Sequence, residues 1–220
     1  MKYIYTFSLL IFVIACKKTD IEQLPEFPST LYLNGITKKS KLHLYSDGKE
    51  ITDPAVISKF VKTNGGFAQN DTSLVSDEHF TFFSTDSAGI LNTFPSLIVT
   101  KNGEQFLFKS TNRIITSKEA IETNFNMAKY KSEAEPVWDS KWSTYHMLVG
   151  YGNYTELKLS TFEYKRVKWY LMSGYFPEPI LQKSSTSGTK FNEFDQSYIS
   201  KVGKNDTLAI QEYFYTFKKR

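Results

Sequence analysis

Two hundred and twenty residues, 40% hydrophobic and 23% charged, are ample for a packed core without metal or disulfide, and they argue against general disorder and against a multi-span membrane protein. The net charge of +4 is spread among interspersed lysines and acids and is dense only at Lys218-Lys219-Arg220, so no nucleic-acid partner is expected. The outlier is the aromatic fraction, 16% and mostly Phe and Tyr, which favours pleated, half-buried strands.

The chain opens with Lys2, an apolar run through Ile14, and Ala15 before its one cysteine, Cys16: the charged, apolar, small order of an export signal. About a dozen apolar positions fall short of the ~20 needed to span a bilayer as a helix. The run Val13-Ile14-Ala15-Cys16 resembles the lipobox of bacterial lipoproteins. The Cys16-Lys17-Lys18 opening, with many Asn, Lys, Phe and Tyr residues, is similar to lipoproteins of the Bacteroidota. The resemblance implies cleavage before Cys16, a thioether from its thiol to diacylglycerol, and acylation of the new amino terminus. Two or three acyl chains together hold a domain at a bilayer where one gives only marginal binding. A lone thiol suits an oxidising envelope if lipid consumes it. Residues 1–15 are therefore expected as a signal peptide, 16–29 as anchor and flexible tether, and 30–220 as a soluble domain. The expected location is the cell envelope, at the outer membrane, with surface or periplasmic orientation left open by the two lysines.

Leu31-Tyr32-Leu33 and Leu42-His43-Leu44-Tyr45 have strand composition, and Ser46-Asp47-Gly48 is a turn signal. Asp53 as cap, Pro54 at the first helical position, and Val56, Ile57, Phe60 and Val61 on one face predict a short amphipathic helix over 54–62, stopped by Asn64-Gly65-Gly66. Residues 80–83 read as a strand, and 97–100 and 104–108 as a hairpin around Asn102-Gly103. Thr116-Ser117-Lys118-Glu119 matches a capping box, and Ile121, Phe125 and Ala128 follow at helical spacing, predicting a second helix over 117–129. The charged stretch with Pro136 makes 130–137 the best place for an internal subdivision. Beyond it, 144–149, 155–164, 167–175 and 207–217 predict strands, 150–153 a hairpin turn, and 184–189 an exposed, mobile Ser/Thr/Gly loop.

Many strands and two helical patterns predict a mainly β domain, an antiparallel sandwich or a partly closed barrel with about two short helices. The aromatic last strand is similar to the ends of outer-membrane barrels. However, three basic residues follow Phe217, and the lipobox-like run favours a tethered soluble domain.

Catalytic signatures are sparse. No Gly-x-Ser-x-Gly elbow occurs, His43, His79 and His146 are far apart and outside any His-Glu-x-x-His run, and Gly150-x-Gly152 lacks the third glycine of a dinucleotide loop. No metal or cofactor is expected. Glu193 and Asp195 could share a strand face ~7 Å apart, near a glycosidase spacing, which motivates an alternative: a hydrolase of envelope or nutrient polymers whose site assembles only in three dimensions. Trp138, Trp142, Trp169 and Tyr170 are the aromatics to place. Neighbours on a strand, Trp169 and Tyr170 point to opposite faces; exposed, they would stack on sugars or anchor a partner, and buried they would pack a core. Asp86-Ser87-Ala88 and Asp206-Thr207-Leu208 are similar to the triplet that Bacteroidota use for O-glycosylation, which marks Ser87 and Thr207. The leading expectation is a non-catalytic envelope lipoprotein, reaching the membrane through lipid on Cys16, whose β domain binds a partner protein, a glycan or an apolar ligand.

Overall fold

A computed structural model describes residues 24–65, 67, 72, 73, 77–172 and 180–220. Cys16, the residues 1–15 read as an export signal, and Gly66 lie outside them, as does the end of the strand expected over 167–175. Among the described residues thirteen strands form one antiparallel sheet: β1 (Ser29–Lys38), β2 (His43–Ser46), β3 (Lys49–Ile51), β4 (Thr72–Ser73), β5 (His79–Phe82), β6 (Ser87–Ile90), β7 (Phe94–Asn102), β8 (Gln105–Ser117), β9 (Glu135–Trp138), β10 (Lys141–Gly152), β11 (Glu156–Met172), β12 (Ile180–Lys190) and β13 (Asp206–Lys218). Helix α1 (Pro54–Asn64) follows β3. A short helix, α2 (Lys118–Ala120), continues into a π-helical turn (Ile121–Phe125), and a 3-10 turn (Gln196–Lys201) precedes β13.

The mainly β expectation is met, and of its two forms the barrel is the one observed. Eight strands close in the order β11, β10, β8, β7, β6, β5, β1, β13 and back to β11. Alternation along each strand sends Phe80 and Phe82 of β5, Phe106 and Phe108 of β8, and Phe217 of β13 into the lumen, each at most 1% exposed. Phe82 stands edge-on to Tyr154 with centroids 5.0 Å apart, and Phe80 edge-on to Phe108 at 5.0 Å. Eight strands leave just enough interior for side chains to fill, and here aromatic rings fill it. Outward positions such as Thr100, Lys109, Lys158 and Lys218 are polar and exposed, the reverse of a barrel that spans lipid.

The long partners β11 and β13 run on past the barrel. Leu157 and Leu159 of β11 face the lumen with Tyr213, Tyr215 and Phe217 of β13. Phe162 and Tyr164, with Leu208 and Ile210, belong to the opposite face, where Met127, Phe194, Tyr198 and Val202 cover them in a second core. β2 and β3 extend the β13 edge of this ribbon and β12 extends the β11 edge. Segment 130–137 lies between β8 and β10, which pair directly, so strands on both its sides share one sheet.

Several local expectations shift. The turn at Asp47-Gly48 is a two-residue hairpin with positive φ at both positions (54° and 68°), the primed turn that suits strand twist. In the β7–β8 hairpin Asn102 stays in the ladder opposite Gln105, and Gly103 (φ 61°) opens the turn. Gly150 also stays in its strand, where a Cβ would come within 2.8 Å of Leu157; the turn follows it and is held by Asn153, whose side chain accepts from the amides of Thr155 and Glu156. Ser117, not Thr116, caps the second helix by accepting from Ala120 N–H, and the helix ends at Phe125 because Ala128 bridges to Phe194 instead. Among the described residues the two strands expected over 155–164 and 167–175 are one strand, β11, because Arg166 in its middle finds Tyr198 and Asp206 as partners. The predicted loop 184–189 is strand, since the free edge of β11 supplies a ladder from Phe162 to Met172. Helix α1 forms with its Asp53 cap as predicted but buries no residue fully; Lys183 of β12 donates to Asn64 at its end (2.6 Å). Part of the expected tether belongs to the fold: Phe27 packs edge-on against Tyr154, and Ser29 is in β1.

Candidate functional site

The candidate residues are scattered over the fold. Trp138 and Trp142 lie on the β9–β10 hairpin, Trp138 exposed and Trp142 half-buried beneath the Lys118 ammonium (5.5 Å to the ring centroid). Trp169 and Tyr170 lie on β11 beyond Val167, its last buried residue. There β13 has ended its pairing at Lys168, and β11 continues with β12 alone as a two-stranded arm. Apolar side chains are exposed on both faces of the arm, with Lys183 opposite Trp169 and Gln182 opposite Tyr170. Trp169, Leu171 and Leu181 share one face, and Tyr170 and Ile180 share the other, with Leu171 65% exposed. Neither Trp169 nor Tyr170 packs into a core.

Ser87 opens β6, half-buried, with its hydroxyl 2.5 Å from that of Ser84. Thr207 lies in β13 opposite Val167, half-buried, beside an Asp206 carboxylate committed to Arg166.

Glu193 and Asp195 flank Phe194 and do line one hollow, together with Lys39, Lys129 and Glu212. Each is neutralised. Glu193 accepts from Lys129 (2.7 Å) and from the Tyr151 hydroxyl (2.6 Å), with Lys39 at 3.8 Å; Asp195 accepts from Lys131 (2.6 Å) and caps the 3-10 turn. Burial alone would raise both carboxyls, but these hydrogen bonds and the lysine charges outweigh it and hold both below the usual carboxylate range. Glycoside hydrolysis needs one carboxyl kept protonated as the acid, and this pair keeps neither. A raised carboxyl does occur at Glu163 of β11, opposite Gln211, where burial prevails over the nearby Tyr213 hydroxyl, which donates to Gln211, and the charge of Lys165.

The histidines are not brought together. His43 pairs with Glu50 (2.8 Å), His79 binds the Asp77 carbonyl, and His146 lies on β10. Among the described residues no group of three His, Cys, Asp or Glu side chains is placed to hold a metal.

The environment of His146 is the most built of the three. One edge of β11 pairs with β10 as far as Ser160 opposite Val149, then with β12 from Phe162 opposite Lys190. The sheet forks there. Residues 191–194 return along β10, with Val149 N–H donating to Phe191 O (3.1 Å), and the buried Asn192 clamps the fork. Its amide donates to the Tyr130 and Met147 carbonyls and its oxygen accepts from the Tyr130 and Glu193 amides. Opposite His146, β8 bulges, and Ser110 Oγ accepts the His146 backbone N–H (2.9 Å). The imidazole stands edge-on to Phe94 (5.0 Å) and tilted against Phe125 (5.5 Å), beside a cavity of about 160 Å³ that Lys190 also lines. Burial first, and then the charge of Lys190, push His146 down to about 4, so it is neutral at neutral pH. Burial likewise lowers the Lys190 amine, whose Nζ lies 4.7 Å from the Phe125 centroid.

Comparison with known protein families, with curated proteins and with solved structures finds no match. The site therefore rests on its own geometry. Lys190 was missed in the sequence because it directly follows the 184–189 stretch read as a mobile loop, and its meeting with Phe94, Phe125 and His146 has no local spacing to announce it.

Proposed function

We propose that the chain is an exported lipoprotein, held in the cell envelope at the outer membrane through lipid on Cys16, and that its barrel domain acts by binding a partner protein and not by catalysis. The observation that carries this is the arm, where Trp169, Tyr170, Leu171, Ile180 and Leu181 are all exposed beyond the last core residue of β11. Contiguous exposed apolar surface on a soluble domain marks an interaction site. Aliphatic residues alternate with the aromatic ones on both faces, which suits an apolar cleft on a protein better than a sugar ring, whose stacking needs aromatic faces alone.

The position of the tether supports the same reading. Ser29 donates to Tyr154 O (2.9 Å) at the β10–β11 turn, so a chain coming from Cys16 enters beside the start of β11. The arm is at the other end of that seventeen-residue strand, about 50 Å away along it at ~3.3 Å per residue. Anchored at one end, the domain presents the arm away from the bilayer. The filled lumen supports no carrier role through the barrel interior.

Two measurements test the proposal. Cys16→Ser is expected to abolish lipid labelling and release the domain from membranes; unchanged labelling refutes the anchor. A photo-crosslinking residue at Tyr170 in the anchored chain is expected to give a protein adduct of discrete mass that Leu171→Ser with Leu181→Ser removes. Lipid adducts alone, or an adduct indifferent to those changes, refute the docking role.

A further inference from the structure

The fork cavity combines an apolar wall with unanswered hydrogen-bond donors. Phe94 stands edge-on to both His146 (5.0 Å) and Phe191 (6.3 Å), and Phe125 closes the other side of the imidazole, so the wall is aromatic and continuous. Lys190 contributes the charge. Its neighbour at this wall is the Phe125 ring, and burial is the one influence that shifts it, so no carboxylate among the described residues answers its ammonium. Lys131, the other cation at the cavity, is committed to Asp195. Asn124 turns its oxygen to the Tyr164 hydroxyl (2.8 Å), which leaves its amide N–H groups as further donors.

A half-buried cation without a counter-charge is costly, and an incoming anion that pairs with it recovers that cost. The charge to be matched is a single one, because one ammonium is free and the imidazole beside it is neutral. Phosphate, which at neutral pH is divided about equally between monoanion and dianion and has no apolar body, matches neither the single charge nor the aromatic wall. A cavity of about 150 Å³ with apolar walls takes a body about the size of benzene, and this one is about 160 Å³. We propose that the fork cavity binds a small monocarboxylic acid with an aromatic or branched aliphatic body, its carboxylate on Lys190 and His146 and its body against Phe94 and Phe125.

Such a site borders the luminal core, against which Phe94 and Phe191 pack and from which Leu148 reaches its wall, and it stands independently of the arm. The bulge in β8 and the Asn192 clamp hold β10 and the 191–194 segment in fixed register, so the site is formed before ligand enters.

Isothermal titration calorimetry on the full chain with phenylacetate, phenylacetamide and inorganic phosphate tests this. Phenylacetate is expected to bind saturably at one site, at least tenfold more tightly than phenylacetamide or phosphate, and Lys190→Gln to weaken it at least tenfold. Lys190→Met, which keeps the length of the side chain, serves as a second variant should Lys190→Gln fail to fold. Equal affinity for the amide, tighter binding of phosphate, unchanged affinity in both variants, or no saturable binding of the acid each overturns the proposal.

Discussion

Arg166 donates from Nη1 to the Tyr198 hydroxyl (2.8 Å) and from Nη2 to the Asp206 carboxylate, tying β11 to the start of β13 and to the 3-10 turn. Both charged side chains are largely buried, 15% and 7% exposed. Removing one member of such a pair strands the other charge, so Asp206→Ala is expected to cost about 3–5 kcal/mol of unfolding free energy. Arg166→Met with Asp206→Leu, which removes both charges, is expected to cost less than the single change. Urea unfolding followed by circular dichroism checks this; a double variant less stable than Asp206→Ala would contradict the ion-pair account.

Asn192 satisfies four backbone groups with one amide, and it is 2% exposed. Asn192→Leu keeps the volume but leaves the carbonyls of Tyr130 and Met147 and the amides of Tyr130 and Glu193 without this partner. A loss of about 2–4 kcal/mol is expected from unmade buried hydrogen bonds. Hydrogen exchange should localise it, with the Tyr130 and Glu193 amides deprotected while the β7–β8 hairpin stays protected. Uniform deprotection would mean that the clamp holds the whole barrel and not the fork.

Much of the fold was legible because its signals are local. The Asp53-Pro54 start of α1, the Asp47-Gly48 turn and the strand read over 80–83 each depend on a few neighbouring residues, and each recurs in the structure, the strand as His79–Phe82. β12 was not legible, because Ser184 to Thr189 carries no apolar alternation and becomes strand only through the β11 edge that receives it. The fork was illegible for the same reason: it exists because β11 changes partners after Ser160, an event of long-range register. Of the aromatics singled out in sequence, the placement of Trp169 and Tyr170 on exposed strand was decided by where β13 stops pairing, at Lys168.

The acidic hollow sets a pH limit. Glu193 and Asp195 have folded-state values below the ordinary ones, so their contribution to stability is complete above the unfolded value and is lost as pH falls through the folded one. Stability is therefore expected to drop below about pH 4.5. Glu193→Gln with Asp195→Asn should flatten that part of the urea-midpoint curve and cost about 1 kcal/mol at neutral pH, since the lysine partners are solvent-screened. An unchanged acid limb in the double variant would assign the limb to other carboxyls.

His146 acts in a higher window. Its folded value of about 4 lies below the ordinary 6.5, so the unfolded chain takes up the proton first. The contribution of His146 is thus complete above 6.5 and is lost progressively as pH falls from there towards 4. The charge facing it is that of Lys190 from β12; Phe94 and Phe125 close the remaining sides without charge. The ring Cε1 proton of His146 should titrate near pH 4 by NMR, and Lys190→Gln should move that midpoint upward by removing the like charge. His146→Gln should remove the stability loss between 6.5 and the onset of the carboxylate limb. A midpoint near 6.5 in the folded protein would place the imidazole in water and outside the slot between Phe94 and Phe125.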